Sequence, residues 1–218
     1  MYNNKRIIYL IRHGQTEYND KSIFRGQLDI PLNSFGISQA ESIGKTLKVI
    51  DFDAIYSSPL NRAKKTAEII NKYQGKKEDI IVKNDFTDLN YGSWQGKSHK
   101  EVRKNYPGLY YEWGNTPYNI QIPDGESLHD AQKRSFNGLK NIINNSKDKT
   151  ICIISHRVIN KLLISKILGI PKTGFWKIRQ DTGCINIIEY SNKKFTVIKL
   201  NYNVNVSDFM NSLKVVDF

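Results

Sequence analysis

Apolar positions along the chain come in short runs separated by stretches with helical spacing. Residues 5–11 carry Ile7, Ile8, Leu10 and Ile11, a run that predicts a strand buried on both faces. Asn33 is a cap for a helix reaching about residue 49, with Ile37, Ala40, Ile43, Gly44 and Leu47 along one stripe. Residues 53–57 read as a second strand. Ser58-Pro59 reads as a cap followed by proline at the first helical position, and the helix after it aligns Ala63, Ala67 and Ile70. Ile80–Val82 is a short strand. Ser127 caps a helix to about residue 144, residues 150–154 form a buried strand, and residues 160–168 a helix ended by Gly169 and Pro171. Residues 184–190 and 195–202 read as a closing hairpin across Ser191-Asn192. Strands alternating with helices predict an α/β fold, a three-layer sandwich with a mostly parallel central sheet.

One stretch breaks this rhythm. Residues 83–125 are rich in Tyr, Trp, Gly, Pro and Asn, with a single helix expected near residues 98–105. A long irregular insertion in a compact chain is usually functional, so it is expected to act as a lid over a site. Its aromatics, Tyr91, Trp94, Tyr110, Tyr111 and Trp113, either line a pocket or pack a small core of the insertion's own, and some are expected to do the latter. The whole span 1–218 is expected to be one domain.

Composition narrows the partners. No apolar run approaches the ~20 residues of a membrane span, and residues 1–10 hold too short an apolar stretch for a signal peptide with no small-residue cleavage site after it, so a cytoplasmic chain with no membrane partner is expected. The two cysteines, Cys152 and Cys184, are too few for a disulfide scaffold or a thiolate metal site and read as buried reduced thiols. The net charge of +12 partly reflects a chain rich in Lys, Asn and Ile together; beyond that it favours small anions such as phosphate esters. Nucleic acid is not expected as a partner, because the lysines are scattered, with only short pairs such as Lys64-Lys65 and Lys76-Lys77.

The first strand ends in Arg12-His13-Gly14-Gln15-Thr16. The crevice at the carboxyl ends of parallel strands is where open α/β sheets place their sites. Arginine offers a planar fork matched to phosphate oxygens, neutral histidine a nucleophilic nitrogen, and glycine close backbone approach. Taken alone, the tripeptide is weak evidence, arising by chance in roughly one or two per cent of chains this long, and His13 reads better as a structural histidine.

The context changes that reading. The run from Leu10 through Asn19 resembles the signature of the histidine phosphatase (phosphoglycerate-mutase-like) family. Five further blocks resemble that family in the right order. They are Gly26-Gln27-Leu28-Asp29-Ile30-Pro31-Leu32 with Gly36 and Gln39-Ala40; Ser57-Ser58-Pro59-Leu60-Asn61-Arg62-Ala63 with Thr66-Ala67; Tyr91-Gly92-Ser93-Trp94-Gln95-Gly96; Pro123-Asp124-Gly125-Glu126-Ser127; and Ser155-His156. The resemblance spans residues 5 to about 190, and within the family it points to the phosphatase branch, the broad-specificity and α-ribazole types.

The resemblance implies a phosphomonoester hydrolase for small phosphorylated metabolites, working through a phosphohistidine on His13. Arg12, Arg62 and His156 would surround the equatorial oxygens, and Asn19 would add a neutral hydrogen bond. Gly14, Gln15, Gln27, Ser155 and Arg157 are further expected substrate contacts. No cofactor and no metal are expected, and the chain is expected to be a monomer or homodimer. Two departures stand out. Asp88 occupies the general acid–base position where the family usually has Glu, with Asp85 and Glu101 as lesser alternatives. Arg157 follows His156 where Gly is common, and reads as either a further anion contact or a surface residue. The competing functions are a cofactor-dependent phosphoglycerate mutase and a weakly active phospholigand-binding or regulatory module.

Overall fold

The computed structural model describes residues 5–204. Six strands, β1 (Arg6–Arg12), β2 (Ala54–Ser57), β3 (Ile80–Val82), β4 (Thr150–Ser155), β5 (Ile185–Ser191) and β6 (Lys194–Tyr202), form one sheet in the order β3-β2-β4-β1-β5-β6. The pairings β3-β2, β2-β4 and β4-β1 are parallel, and β5 and β6 close the other edge antiparallel. The expected mostly parallel sheet is therefore present. Among the described residues, seven α-helices accompany it: α1 (Glu17–Asp20), α2 (Ser34–Leu47), α3 (Asn61–Lys72), α4 (His99–Asn105), α5 (Pro107–Asn115), α6 (Leu128–Asn145) and α7 (Arg157–Leu168).

Side chains of the central strands alternate between two cores, as the pleat requires. Ile8 and Leu10 of β1, with Ile151 and Ile153 of β4, pack toward α6, α7 and the 83–125 insertion. Ile11 of β1, with Cys152 and Ile154 of β4, packs toward Ile43 of α2 and Ala63, Ala67 and Ile70 of α3. Each fully buried isoleucine contributes about 1.5–3 kcal/mol of transfer free energy, so the two-sided burial that makes β1 and β4 read as continuous apolar runs also anchors them. Cys152 and Cys184 are buried free thiols, and burial pushes the Cys184 thiol up to about 12. Among the described residues, no helix is long and apolar enough to cross a membrane.

The register brings the chemistry to one edge. Arg12 pairs with Ser155, and Ser57 with Ile154, so the carboxyl ends of β1, β4 and β2 lie side by side. Residue 14 must be glycine for a packing reason: a Cβ there would lie 2.3 Å from the Gly36 carbonyl oxygen, where the start of α2 closes on the strand end. Asn33 caps that helix as expected, its Oδ1 accepting from Gly36 N at 2.8 Å.

Three local expectations change. The helix α3 begins at Asn61, and Leu60, at its cap position, supplies no side-chain bond; Ser58 is diverted to a tertiary partner described below. The helix α7 begins at Arg157, three residues earlier than expected, with His156 at its cap. It ends as expected, Gly169 taking the left-handed φ of 64°. The insertion carries a second helix, α5, and its aromatics are not a separate core. Trp94 and Trp113 are buried in the main cluster with Phe24 and Phe175, their rings 6.2 Å apart and edge-on. Tyr111 is exposed, and Tyr110 meets His99 through its hydroxyl at 3.1 Å.

Candidate active site

His13 continues β1 into the crevice and is almost fully buried. Its backbone N–H donates to Ser155 O at 3.0 Å, and its carbonyl accepts from Gly183 N at 3.1 Å. Its ring Nδ1 lies 2.6 Å from the Gly14 carbonyl oxygen. A carbonyl only accepts, so Nδ1 carries the ring proton and Nε2 presents its lone pair. Arg62 Nε donates to that Nε2 at 3.2 Å, which agrees with this tautomer. Burial first, then the guanidiniums of Arg62, Arg12 and Arg25, hold the His13 pKa well below the usual imidazole range. The ring is thus neutral, the form that can attack an electrophile.

Arg62 rises from the first turn of α3 and is fully buried. Its Nη1 donates to Leu28 O at 2.8 Å and its Nη2 to Gly26 O at 2.7 Å, so it pins the 24–30 loop against the site. Nη2 also lies 3.3 Å from Asp88 Oδ2. Arg12 is held by its Nη1, which donates to Gln180 O at 2.6 Å.

His156 closes β4, its ring centroid 5.1 Å from that of His13. Its Nε2 lies 2.7 Å from Ser58 Oγ, and Ser58 Oγ accepts from Leu60 N at 3.3 Å. The Ser58 hydroxyl is free to donate to Nε2, and the Asp88 carboxylate facing Nδ1 favours the His156 proton on Nδ1; the assignment is made from these neighbours. Nδ1 has no hydrogen-bond partner among the described residues and lies 3.7 Å from Asp88 Oδ2. Ser58 was read from sequence as a helix cap; it orients His156 instead. Burial, then Arg62, His13, Arg12 and Arg25, lower the His156 pKa well below its ordinary value.

Asp88 is buried at the start of the aromatic block, Oδ1 accepting from Leu89 N at 3.0 Å and Oδ2 facing Arg62 and His156. The two lesser candidates are engaged elsewhere. Glu101 closes a capping box on α4, accepting from Ser98 N and Oγ at 2.7 and 2.6 Å. Asp85 packs against Gly138 of α6.

The other expected contacts divide. Asn19 Oδ1 accepts from Thr16 N and Oγ1, while its Nδ2 is buried and without a partner among the described residues, leaving a donor for an incoming oxygen. Gln27 is exposed at the rim, its Nε2 donating to the Asp88 carbonyl at 3.2 Å. Gly14, Gln15 and Ser155 belong to the frame behind the site. Gly14 N donates to Thr66 Oγ1, Gln15 N donates to Gln39 Oε1, and the Ser155 hydroxyl donates to Phe86 O. Arg157 lines a small cleft beside Asp88, together with Tyr91, His99 and Arg25. Arg25 was not found from sequence. Burial, then the charges of Arg12 and Arg157, pull its pKa below the usual guanidinium range. Its signal was its place one residue ahead of the Gly26-Gln27 block.

The neutral histidines have a consequence for stability. Both titrate below 6.5 in the fold, so on acidification the unfolded chain takes up protons that the native chain refuses. Their contribution is therefore fully present above pH 6.5 and is lost as the pH falls below it, at up to about 1.4 kcal/mol per pH unit for each ring. The urea midpoint is expected to fall between pH 7.5 and 5.5, and His156→Asn to flatten that decline. Identical pH dependence in the two proteins would remove His156 from this account.

The family model of the histidine phosphatase superfamily (branch 1) matches residues 8–203. The uncharacterized phosphatase PhoE of Bacillus subtilis is 32% identical over 203 residues, which cover 93% of this chain and 98% of PhoE. Phosphoserine phosphatase 1 of Hydrogenobacter thermophilus is 27% identical over 202 residues, 93% of this chain and 95% of that protein. The α-ribazole phosphatase structure from Shigella flexneri superposes with a TM-score of 0.82 at 26% identity, covering 90% of this chain and 96% of the other. A match over nearly the whole described chain, with His13, Arg62 and His156 converging at the strand ends, shows that this protein belongs to the histidine phosphatase superfamily, branch 1.

Proposed function

We propose that the protein hydrolyses small phosphate monoesters in two displacements at His13. The observation that carries this reading is the neutral His13 Nε2 directed at Arg62 in a buried pocket of guanidinium groups. Kinship with proteins named as phosphatases supports phosphate-ester hydrolysis as the reaction class.

In the first displacement, Nε2 attacks phosphorus, the bond to the ester oxygen breaks, and the departing oxygen takes a proton from Asp88. The Arg62 Nε–H that rests on Nε2 moves to a phosphoryl oxygen, joined by Arg12, Asn19 and His156 Nδ1 around the equatorial oxygens. An approaching phosphate dianion favours the protonated Asp88 carboxyl, because like charges disfavour ionisation. In the second displacement, water gives its proton to Asp88 and attacks phosphorus. The N–P bond breaks, its electron pair returns to Nε2, and inorganic phosphate leaves.

Charge on the transferring group is matched by arginines throughout, so no divalent ion enters either step. Hydrolysis of p-nitrophenyl phosphate is expected to proceed at an unchanged rate in EDTA. Loss of activity in EDTA that Mg²⁺ or Zn²⁺ restores would overturn the metal-free mechanism. Isomerisation of 3-phosphoglycerate faster than its hydrolysis would shift the reading to the mutase branch. Phosphate binding without turnover would shift it to a binding module.

A further inference from the structure

We infer that Arg134 of α6, aimed by Glu126, is a positioning residue for Asp88: it fixes the backbone from which this short side chain reaches the leaving group. The inference deepens the proposed hydrolysis and rests on it for the role of Asp88. Neither Arg134 nor Glu126 is among the side chains gathered around His13.

The chain leading into Asp88 is tied down by its carbonyls. Asn84–Phe86 is a single 3₁₀ turn, too short to fix its own position. Arg134 Nη1 lies within donating distance of Asn84 O at 3.1 Å, Asp85 O at 2.7 Å and Thr87 O at 3.1 Å. The Ser155 hydroxyl donates to Phe86 O at 2.8 Å, and Gln27 Nε2 to Asp88 O at 3.2 Å. Every carbonyl from Asn84 to Asp88 is thus held by a side chain from elsewhere in the fold, and one guanidinium holds the majority. The helix backbone itself comes as close: a Cβ on Gly138 would lie 2.3 Å from Asp85 Cβ.

Glu126 aims that guanidinium and joins it to the other flank of Asp88. Arg134 Nε and Nη2 donate to Glu126 Oε1 and Oε2, both at 2.9 Å, a bidentate pair that leaves Nη1 turned to the carbonyls. Glu126 N donates to Asn90 O at 2.8 Å, and Ser93 N to Pro123 O at 2.9 Å. Glu126 therefore grips the chain after Asp88 through its backbone and the chain before it through Arg134. The pair is partly open to water, its side chains 25% and 18% exposed, so it adds little stability as an ion pair. What it supplies is direction, which a lysine ammonium, a single point of charge, does not reproduce. The need for it comes from Asp88. One bond fewer than glutamate removes about 1.5 Å of reach, so a backbone drift that glutamate would span leaves aspartate short, at a cost of about 100-fold for a displacement near 1 Å.

The test uses glycerol 3-phosphate, whose alkoxide needs a proton as it leaves, beside p-nitrophenyl phosphate, whose phenolate hardly does. Arg134→Lys is expected to lower kcat for glycerol 3-phosphate by about 10- to 100-fold, with little change in KM or in turnover of p-nitrophenyl phosphate. Asp88→Glu placed in the Arg134→Lys background should restore most of the loss, because the longer side chain spans the displaced backbone. Glu126→Gln, which keeps the shape and loosens the guanidinium, should show the same pattern to a smaller degree and serves as the reporter if Arg134→Lys does not fold. A pair that only stabilises the fold would instead lower the urea midpoint and slow both substrates alike, and that result would overturn the inference. So would a loss on glycerol 3-phosphate that Asp88→Glu leaves unrestored. Asp88→Asn on the same two substrates separates the two levels. If it slows them equally, the acid role of Asp88 falls and the positioning role falls with it. If it slows glycerol 3-phosphate selectively while Arg134→Lys does not, the acid role stands and the positioning role is refuted.

Discussion

His13→Ala is expected to lower turnover of p-nitrophenyl phosphate by about 10⁴-fold or more, the scale typical of removing a covalent nucleophile. The reason lies in the geometry around the ring. The Nδ1 contact with the Gly14 carbonyl fixes which nitrogen is free, and in the proposed mechanism phosphorus arrives where Arg62 Nε now meets that nitrogen. No neighbouring group replaces it. His156 Nε2 is bound to Ser58, its Nδ1 carries the proton, and Asp88 Oδ2 is occupied by Arg62. A rapid quench with labelled substrate should place an acid-labile, base-stable phosphoryl group on wild-type His13 and none on the variant. His13→Asn, which keeps a polar group near Arg62, should be equally inactive and separates lost chemistry from lost folding. Turnover near the wild-type rate in either folded variant would end the phosphohistidine mechanism.

Asp88→Asn should lower turnover of alkyl phosphates by about 10²–10³-fold and that of p-nitrophenyl phosphate far less, because only the poor leaving group needs a proton as it departs. Aspartate is one bond, about 1.5 Å, shorter than the glutamate usual at this position, and a misplacement near 1 Å can cost about 100-fold. The insertion carries the shorter side chain up to Arg62 and His156. Asp88 is buried, its Oδ1 is tied to Leu89 N, and its Oδ2 reaches to 3.3 Å from Arg62 and 3.7 Å from His156 without a relay. Asp88→Glu should therefore keep the wild-type dependence on leaving group. If Asn slows both kinds of substrate equally and slightly, Asp88 has no part in proton transfer.

Three of the six sequence blocks, at residues 10–19, 57–63 and 155–156, lie at a strand end or in the turn after one, where local spacing and tertiary placement coincide. Arg12, His13 and His156 are legible for that reason. Ser58 was misread because Ser-Pro satisfies the local rule for a helix start, and only the fold shows that its hydroxyl is needed by His156. Arg25 was missed because an arginine in an irregular loop looks like any solvated cation until Arg12 and Arg157 are placed near it. The helix α5 escaped notice because Gly108 and Gly114 weaken its propensity. It forms around the burial of Trp113 against Tyr91, Trp94 and Phe175, contacts that no short window contains. The same contacts explain why Trp94 and Trp113 joined the core together with Tyr91, which also lines the cleft.

The strand order has a consequence for how the molecule is made. The strand β1 lies at the centre of the sheet, yet its neighbours β4 and β5 begin at Thr150 and Ile185. During synthesis, β1 emerges early and waits, with Ile8, Leu10 and Ile11 unpaired, until most of the chain has followed. Such long-range pairing folds slowly and leaves an apolar strand open to wrong partners meanwhile. Because Arg12 and His13 gain their positions from Ser155, Gln180 and Gly183, the pocket around His13 is among the last features to assemble. A nascent chain released before β5 is complete would carry the whole signature motif and no catalytic power, and its exposed first strand would mark it for chaperones.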